Sequence, residues 1–227
     1  MINELRESFK DVFNKNLRTL VYATIGLTVV VFAVLLYGFS CLMSAWYVSD
    51  VAWVKTLVTI LGGLAFLVTA FMIFPVIVTF TAGFFFDKAI EKNASLGNVS
   101  LRPPVSAAES VKMSGMVAVK GISVNALLTL FGLIPVLNLL FPVLFYVMNG
   151  KILGQEYYYS VATRYITYDE ARDLYDKNKL YFQKAGIVIA LLLTIPGVNM
   201  VSPLVGITFM QRMFLKLKNN RLEISHR

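Results

Sequence analysis

Residues 19–45 read TLVYATIGLTVVVFAVLLYGFSCLMSA and carry no charged side chain, and residues 56–86 repeat that condition. As helices these runs would reach roughly 40 and 46 Å, against about 30 Å for the hydrocarbon core of a bilayer. Few folds can accept two such runs. A soluble domain would have to bury both on every side, and composition argues against that. Hydrophobic residues make up 57% of the chain and charged ones only 15%, whereas a soluble protein carries about 25% charged residues. The expected fold class is therefore an all-α integral membrane protein, with full transmembrane helices over 19–46 and 56–86. The second run is longer than the bilayer is thick, so it must tilt, kink at Pro75 or project beyond the membrane. Trp46, Tyr47 and Trp53 bracket the intervening loop, as interfacial aromatics do.

Residues 1–18 are of another kind. Ile2, Leu5, Phe9, Val12, Phe13 and Leu17 fall at helical spacing, with Glu4, Arg6, Glu7, Lys10, Asp11, Asn14 and Lys15 on the other side. This amphipathic helix is too polar to span. It is expected to lie in the interface with its Phe face down; the alternative is packing on a polar face of the same chain. Asp87, Lys88, Glu91 and Lys92 read as a solvated helix end, and 93–110 as a polar loop. The sequons at Asn93 and Asn98 read as short chance patterns.

The chemistry of sites is sparse. Cys41 is the only cysteine and His226 the only histidine, so a disulfide within the chain, a Cys or His metal site and a histidine triad are not expected. There is no phosphate-binding Walker loop, no G-x-S-x-G and no H-E-x-x-H. Neither an enzyme activity nor a cofactor is implied. The N-terminal residues also lack the pattern of a cleavable signal peptide.

The distinctive feature is a repeat. IPVLNLLFP at 134–142 and IPGVNMVSP at 195–203 share the form I-P-x-[LV]-N-[LM]-x-x-P. Each follows an apolar arm too short to span and precedes a second one. Two readings exist: a single kinked span, or a helical hairpin that enters the membrane and returns on the same side. In the hairpin reading Pro135 and Pro196 open the turns, Asn138 and Asn199 satisfy backbone groups there, and Pro142 and Pro203 start the returning helices, where a missing N–H costs nothing. Charge favours hairpins over 121–150 and 184–217. With two full spans only, Lys55 stands alone on the far side and 20 of the 21 Lys and Arg share one face. If both units crossed, Lys151, Arg164, Arg172, Lys177, Lys179 and Lys184 would all face outward, against the positive-inside bias. Both termini, the helical segment 151–183 and the polar tail 218–227 are then expected in the cytoplasm. The net charge of +8 follows from topology, without nucleic acid as a partner. In 151–183, Glu156, Arg164, Asp169, Glu170 and Arg172 read as a structural network rather than a vestibule. Tyr157, Tyr158, Tyr159 and Tyr165 read as interfacial anchors.

IPVLNLLFPV, NGKILGQEYYYSVATRY at 149–165 and IPGVNMVSPLVGITFM at 195–210, in that order and spacing, make the chain resemble the CysZ sulfate-permease family, within the wider group named after an etoposide-induced protein. The resemblance implies two membrane helices and two half-inserted hairpins in a bacterial inner membrane. It implies channel-like sulfate uptake for cysteine synthesis, without nucleotide energy, by a homo-oligomer built from dimers. The anion motif of that family is Gly-Leu-Arg followed by a second Arg. Here the matching positions are Asn16, Leu17, Arg18 and Thr19. Leu17 and Arg18 match, while the glycine and the second arginine are replaced, so the implied sulfate site has lost charge. Arg18 could instead be an interfacial arginine that helps set topology. A non-transporting membrane scaffold of the same family is the alternative function.

Overall fold

The structure is a computed structural model that describes residues 1–45, 51–94, 100–103, 119, 123–124, 127 and 139–225. Among these residues all regular structure is helical. In chain order the first helices among the described residues are α1 (Ile2–Phe13), α2 (Lys15–Ala45), α3 (Ala52–Gly83) and the short α4 (Phe86–Lys92). They are followed by α5 (Phe141–Ala162), α6 (Tyr168–Lys177), α7 (Lys179–Thr194) and α8 (Ser202–Ser225), with a single 3-10 turn at Val198–Met200 between the last two.

Helices α2 and α3 form an antiparallel pair. Thr28 meets Thr81 at 2.6 Å through their hydroxyls, Phe32 meets Phe74 edge-on at 5.6 Å, and Phe39 stacks on Phe66 at 4.2 Å. Leu17–Leu42 within α2 contains an 18-residue window with a mean hydropathy of 2.4 and is the one stretch among the described residues that is long and apolar enough to cross a membrane. Helix α3 stays continuous through Pro75, and the chain breaks instead at Phe84–Phe85, before α4. Beyond Thr28 the pair is bare: Val30, Val34, Leu35, Leu57, Ile60 and Leu64 are all exposed. Aliphatic side chains arranged around two helices over such a length suit hydrocarbon, not water.

The core lies at the opposite end, where the foot of α2 meets α1, α4, α5, α6, α7 and α8. It is aromatic. Tyr158 packs on Phe182 at 4.2 Å and on Tyr175 at 5.2 Å, and Tyr165 packs on Phe214 at 5.4 Å. Tyr157, Tyr158, Tyr159 and Tyr165 are all buried. They are therefore core residues, not the interfacial anchors their clustering predicts. Each such ring removes well over 100 Å² of surface from water, worth roughly 2 kcal/mol or more. The Tyr158 hydroxyl donates to the Ala171 carbonyl at 2.8 Å, which spares one of the buried phenols the cost of an unmade bond.

Helix α1 packs on its own chain: its Val12 and Ser8 are buried, and Leu5 and Phe9 pack on the core against α8. Asp11 accepts from Arg212 at 2.6 Å, and Glu4 pairs with Lys216. Ile2 and Phe13 remain exposed.

Helices α7 and α8 also run antiparallel: the Tyr181 hydroxyl donates to the Met213 carbonyl at 3.3 Å, and Gly206 lies against Ile189. The second repeat unit is thus a turned-back pair of helices, not one kinked helix. Its turn contains Pro196, Gly197 at φ +81 and the 3-10 turn. A left-handed residue there is what glycine permits. Pro203 sits in the first turn of α8 and Pro142 in the first turn of α5, where proline is favoured. The turn at Asn199 is tied by its backbone N–H, which donates to the Ile195 carbonyl at 2.9 Å. The side-chain oxygen of Asn199 is buried with no hydrogen-bond partner among the described residues. Pro135 and Asn138 of the first unit lie outside the described residues, as does the loop at Trp46 and Tyr47. The divisions drawn at 150/151 and 183/184 fall inside α5 and α7, and the start of the tail at 218 continues α8.

Candidate functional site

The implied anion motif lies at the corner between α1 and α2. Asn14 makes that corner. Its backbone is extended, at φ −71 and ψ 158, and its N–H donates to the Asp11 carbonyl. Its carbonyl accepts from the Leu17 and Arg18 N–H groups at 3.1 and 2.9 Å, and its side-chain oxygen accepts from the Lys15 N–H at 2.7 Å. An asparagine in this role is a helix cap, and it already engages donors that an anion at a helix start would use. Leu17 is buried in the core and Leu20 and Val21 join it, which fixes the foot of α2. Arg18 and Thr19 point outward and are exposed. The Arg18 guanidinium lies 6.0 Å from the centre of the Tyr22 ring, one turn on, a distance at which the ring face attracts the cation weakly. The corner therefore brings together one exposed arginine, one exposed hydroxyl and the positive end of a long helix dipole. Leu17 anchors the corner and offers no polar side chain.

Behind the corner the base is laced by polar side chains. Arg164, only 3% exposed, sends Nη2 to Glu91 Oε1 at 2.7 Å, while its Nε lies 3.5 Å from Asp87. Among the described residues its Nε and Nη1 find no hydrogen-bond partner. Asp87 and Glu91 are thus more than a solvated helix end: they hold the buried arginine of the turn that follows α5 against α4. The expected pairing of Arg164 within 151–183 is replaced by this one. Glu170 instead closes a capping box with Thr167 at the start of α6, and those bonds from Thr167 hold its carboxyl below the usual range. Burial pushes the Glu156 carboxyl up. Gln211 donates from Nε2 to the Ile90 carbonyl at 3.0 Å and bonds the Tyr165 hydroxyl at 2.6 Å. Asn93, set aside as a chance sequon, is buried and donates to Thr208 Oγ1 at 3.2 Å.

Sequence reasoning missed Asn14, Arg164 with its α4 partners, Gln211 and Asn93. Asn14 carried a signal, because an asparagine between an amphipathic run and an apolar run is a helix-boundary residue. The others pair across 73, 121 and 115 positions, and no local pattern announces such contacts.

A bare antiparallel pair of long apolar helices standing on a compact polar-laced base defines an α-helical membrane protein. The family described as Sulfate transporter CysZ/Etoposide-induced protein 2.4 matches residues 4–203. The chain belongs to that family and is a CysZ-like membrane protein. No curated protein matches the chain closely enough to add to this.

Proposed function

We propose that the chain is a permease for sulfate or a related oxyanion, in the inner membrane of a bacterium, importing its substrate for cysteine synthesis. Membership of a sulfate-transporter family is the observation that carries this reading. In it, α2 and α3 cross the bilayer, and the α7–α8 pair and its counterpart ending in α5 enter partway and return. The exposed apolar residues at their tips support this: Leu139, Leu140 and Val143 at the start of α5, and Leu191 and Ile195 at the end of α7. Helix α7 has 16 residues, about 24 Å, which is less than a span. Both termini and the 151–183 segment then face the cytoplasm.

The oxyanion is drawn to the α1–α2 corner by the Arg18 and Thr19 side chains, with the α2 dipole behind them. Asn16 and Leu17 shape the corner, Leu17 by anchoring it. Two spans per chain leave too little wall for a pore, so conduction requires a homo-oligomer, built from dimers if the family pattern holds. Uptake of labelled sulfate into proteoliposomes tests the proposal. Uptake above that of empty vesicles, lowered several-fold by Arg18→Ala, is expected. Equal uptake by wild type, by Arg18→Ala and by empty vesicles would remove it.

One observation favours a second reading, a membrane scaffold that does not transport. Asn14 takes up N–H groups at the helix start, and the motif holds one arginine where its family pattern has two. Such a scaffold would bind no sulfate at this corner when purified.

A further inference from the structure

The base carries a cleft of about 560 Å³ between α5, α6 and α7, on residues that the α1–α2 corner does not include. Its wall holds three cations, Lys151, Arg172 and Lys179, and one acid, Asp176. Lys179 Nζ lies 2.9 Å from Asp176 Oδ1, so that acid is already engaged. Among the described residues no carboxylate pairs with Lys151 or Arg172. The cleft is therefore left with a positive surplus. Concave surroundings of low polarisability concentrate such a field.

The remaining walls are suited to an oxyanion. Tyr159 and Tyr168 stack at 5.4 Å with their planes 25° apart and both line the same cleft. Gln155 and Gln183 also line it, with Gln183 hydrogen-bonded to Tyr175. A planar guanidinium offers two parallel N–H groups to two oxygens of a tetrahedral anion, and ammonium groups complete the charge. The lining also includes the apolar Val124 and Met148. Met148 lies on the apolar half of α5, towards the exposed Val143 and Leu140.

We infer that this cleft is a second oxyanion site, for the tetrahedral group of sulfate or phosphate, separate from the α1–α2 corner and independent of whether that corner transports. The anion comes either free from solution or as the headgroup phosphate of an anionic lipid whose chains lie along the apolar lining. The full chain, purified in detergent and freed of lipid, tests both sources. Equilibrium binding of radiolabelled sulfate and of radiolabelled phosphate is measured first. Retention of phosphatidylglycerol against phosphatidylcholine is then followed by native mass spectrometry. The variants are Lys151→Gln with Arg172→Gln, Asp176→Asn, and Arg18→Gln as the arm that reports on the corner.

The double variant is expected to lose affinity at least 10-fold for whichever source binds, with its thermal midpoint unchanged because both side chains are exposed. Asp176→Asn is expected to tighten binding about threefold by freeing Lys179, and it keeps the test open if the double variant does not fold. Arg18→Gln leaves this site unchanged. Loss confined to the free anions assigns the site to solute, and loss confined to phosphatidylglycerol assigns it to lipid. Wild-type affinity for every probe in both cleft variants would overturn the inference, as would no retention of any probe by the wild type.

Discussion

Replacing Gly186 by alanine asks whether the contact between α5 and α7 is set by backbone or by side chains. These helices cross antiparallel at three glycines. A Cβ on Gly186 would stand 2.0 Å from the Gly150 carbonyl oxygen, 2.4 Å from the Gly154 nitrogen and 2.5 Å from the Gly154 Cα. All three are backbone atoms, so no rotamer change relieves the clash. Carbon atoms settle near 3.5–4.0 Å, and the helices must part by more than an ångström. That separation spreads to the contacts which close approach permits, including Tyr158 against Phe182 at 4.2 Å. Forcing a methyl into a full site costs about 1–3 kcal/mol, and a backbone clash belongs at the upper end. Alanine returns about 0.5–1 kcal/mol through helix propensity, leaving a net loss of about 2 kcal/mol. For a chain of this size that lowers the midpoint by roughly 4–8 °C.

The control is Gly26→Ala on α2, where nothing lies within 4 Å of the new atom and the midpoint should hold or rise slightly. Both variants would be unfolded thermally in the same detergent. If Gly186→Ala lost no more than Gly26→Ala, the close crossing of α5 and α7 would not be what holds the base together.

Three further outcomes are expected. Arg164→Met should destabilise the base by about 2 kcal/mol, because it removes the buried guanidinium and leaves Asp87 and Glu91 facing each other near water; thermal melts of the single variant against an Asp87→Asn, Glu91→Gln background measure the coupling. The ammonium of Lys216 lowers the Glu4 carboxyl to about 2. A depressed carboxyl contributes stability above its unfolded value, so that share, about 1 kcal/mol after screening of the half-exposed lysine, should fade as pH drops from about 4.5 towards 2. Glu4→Gln should flatten the midpoint over that range, and an unchanged slope would contradict the pairing of α1 with α8. In a Cys41→Ala background, cysteines at Asp173 or Lys177 should resist a membrane-impermeant thiol reagent in intact spheroplasts, whereas one at Trp53 should react; labelling at 173 from outside would rule out the half-inserted hairpins.

The sequence made α2 and α3 legible because an uncharged run longer than a bilayer is thick has few other uses. It also made the second turn legible, through Pro196, Gly197 and Pro203, since each residue acts on its own backbone. Tyr157, Tyr158 and Tyr159 were misread for a physical reason. A tyrosine is equally at home at a membrane edge and in a core that offers its hydroxyl a partner, and the partner of Tyr158 is the Ala171 carbonyl in another helix. The destination of α1 was also open. An amphipathic face fits a lipid surface or a protein groove alike, and the choice was made by Arg212 and Lys216, roughly 200 positions away. At the α1–α2 corner, the residue types at Asn16 to Thr19 were readable, but the way Asn14 engages the helix-start donors depends on an extended backbone that no residue type dictates.

The position of the core follows from where water can drive packing. In hydrocarbon there is no hydrophobic force between two apolar helices, which meet through fit and hydrogen bonds alone. The contacts of α2 with α3 are of that kind: aromatic pairs and the Thr28–Thr81 bond. The base, by contrast, has ion pairs at its surface, such as Glu4–Lys216 and Asp176–Lys179, so burying Tyr158, Phe182 and Phe214 there is favoured by water. Substitutions on the exposed flank of α2, at Val30 or Val34, therefore bear on what surrounds that helix rather than on the packing of the fold. Substitutions in the base bear on whether the spans are held at all.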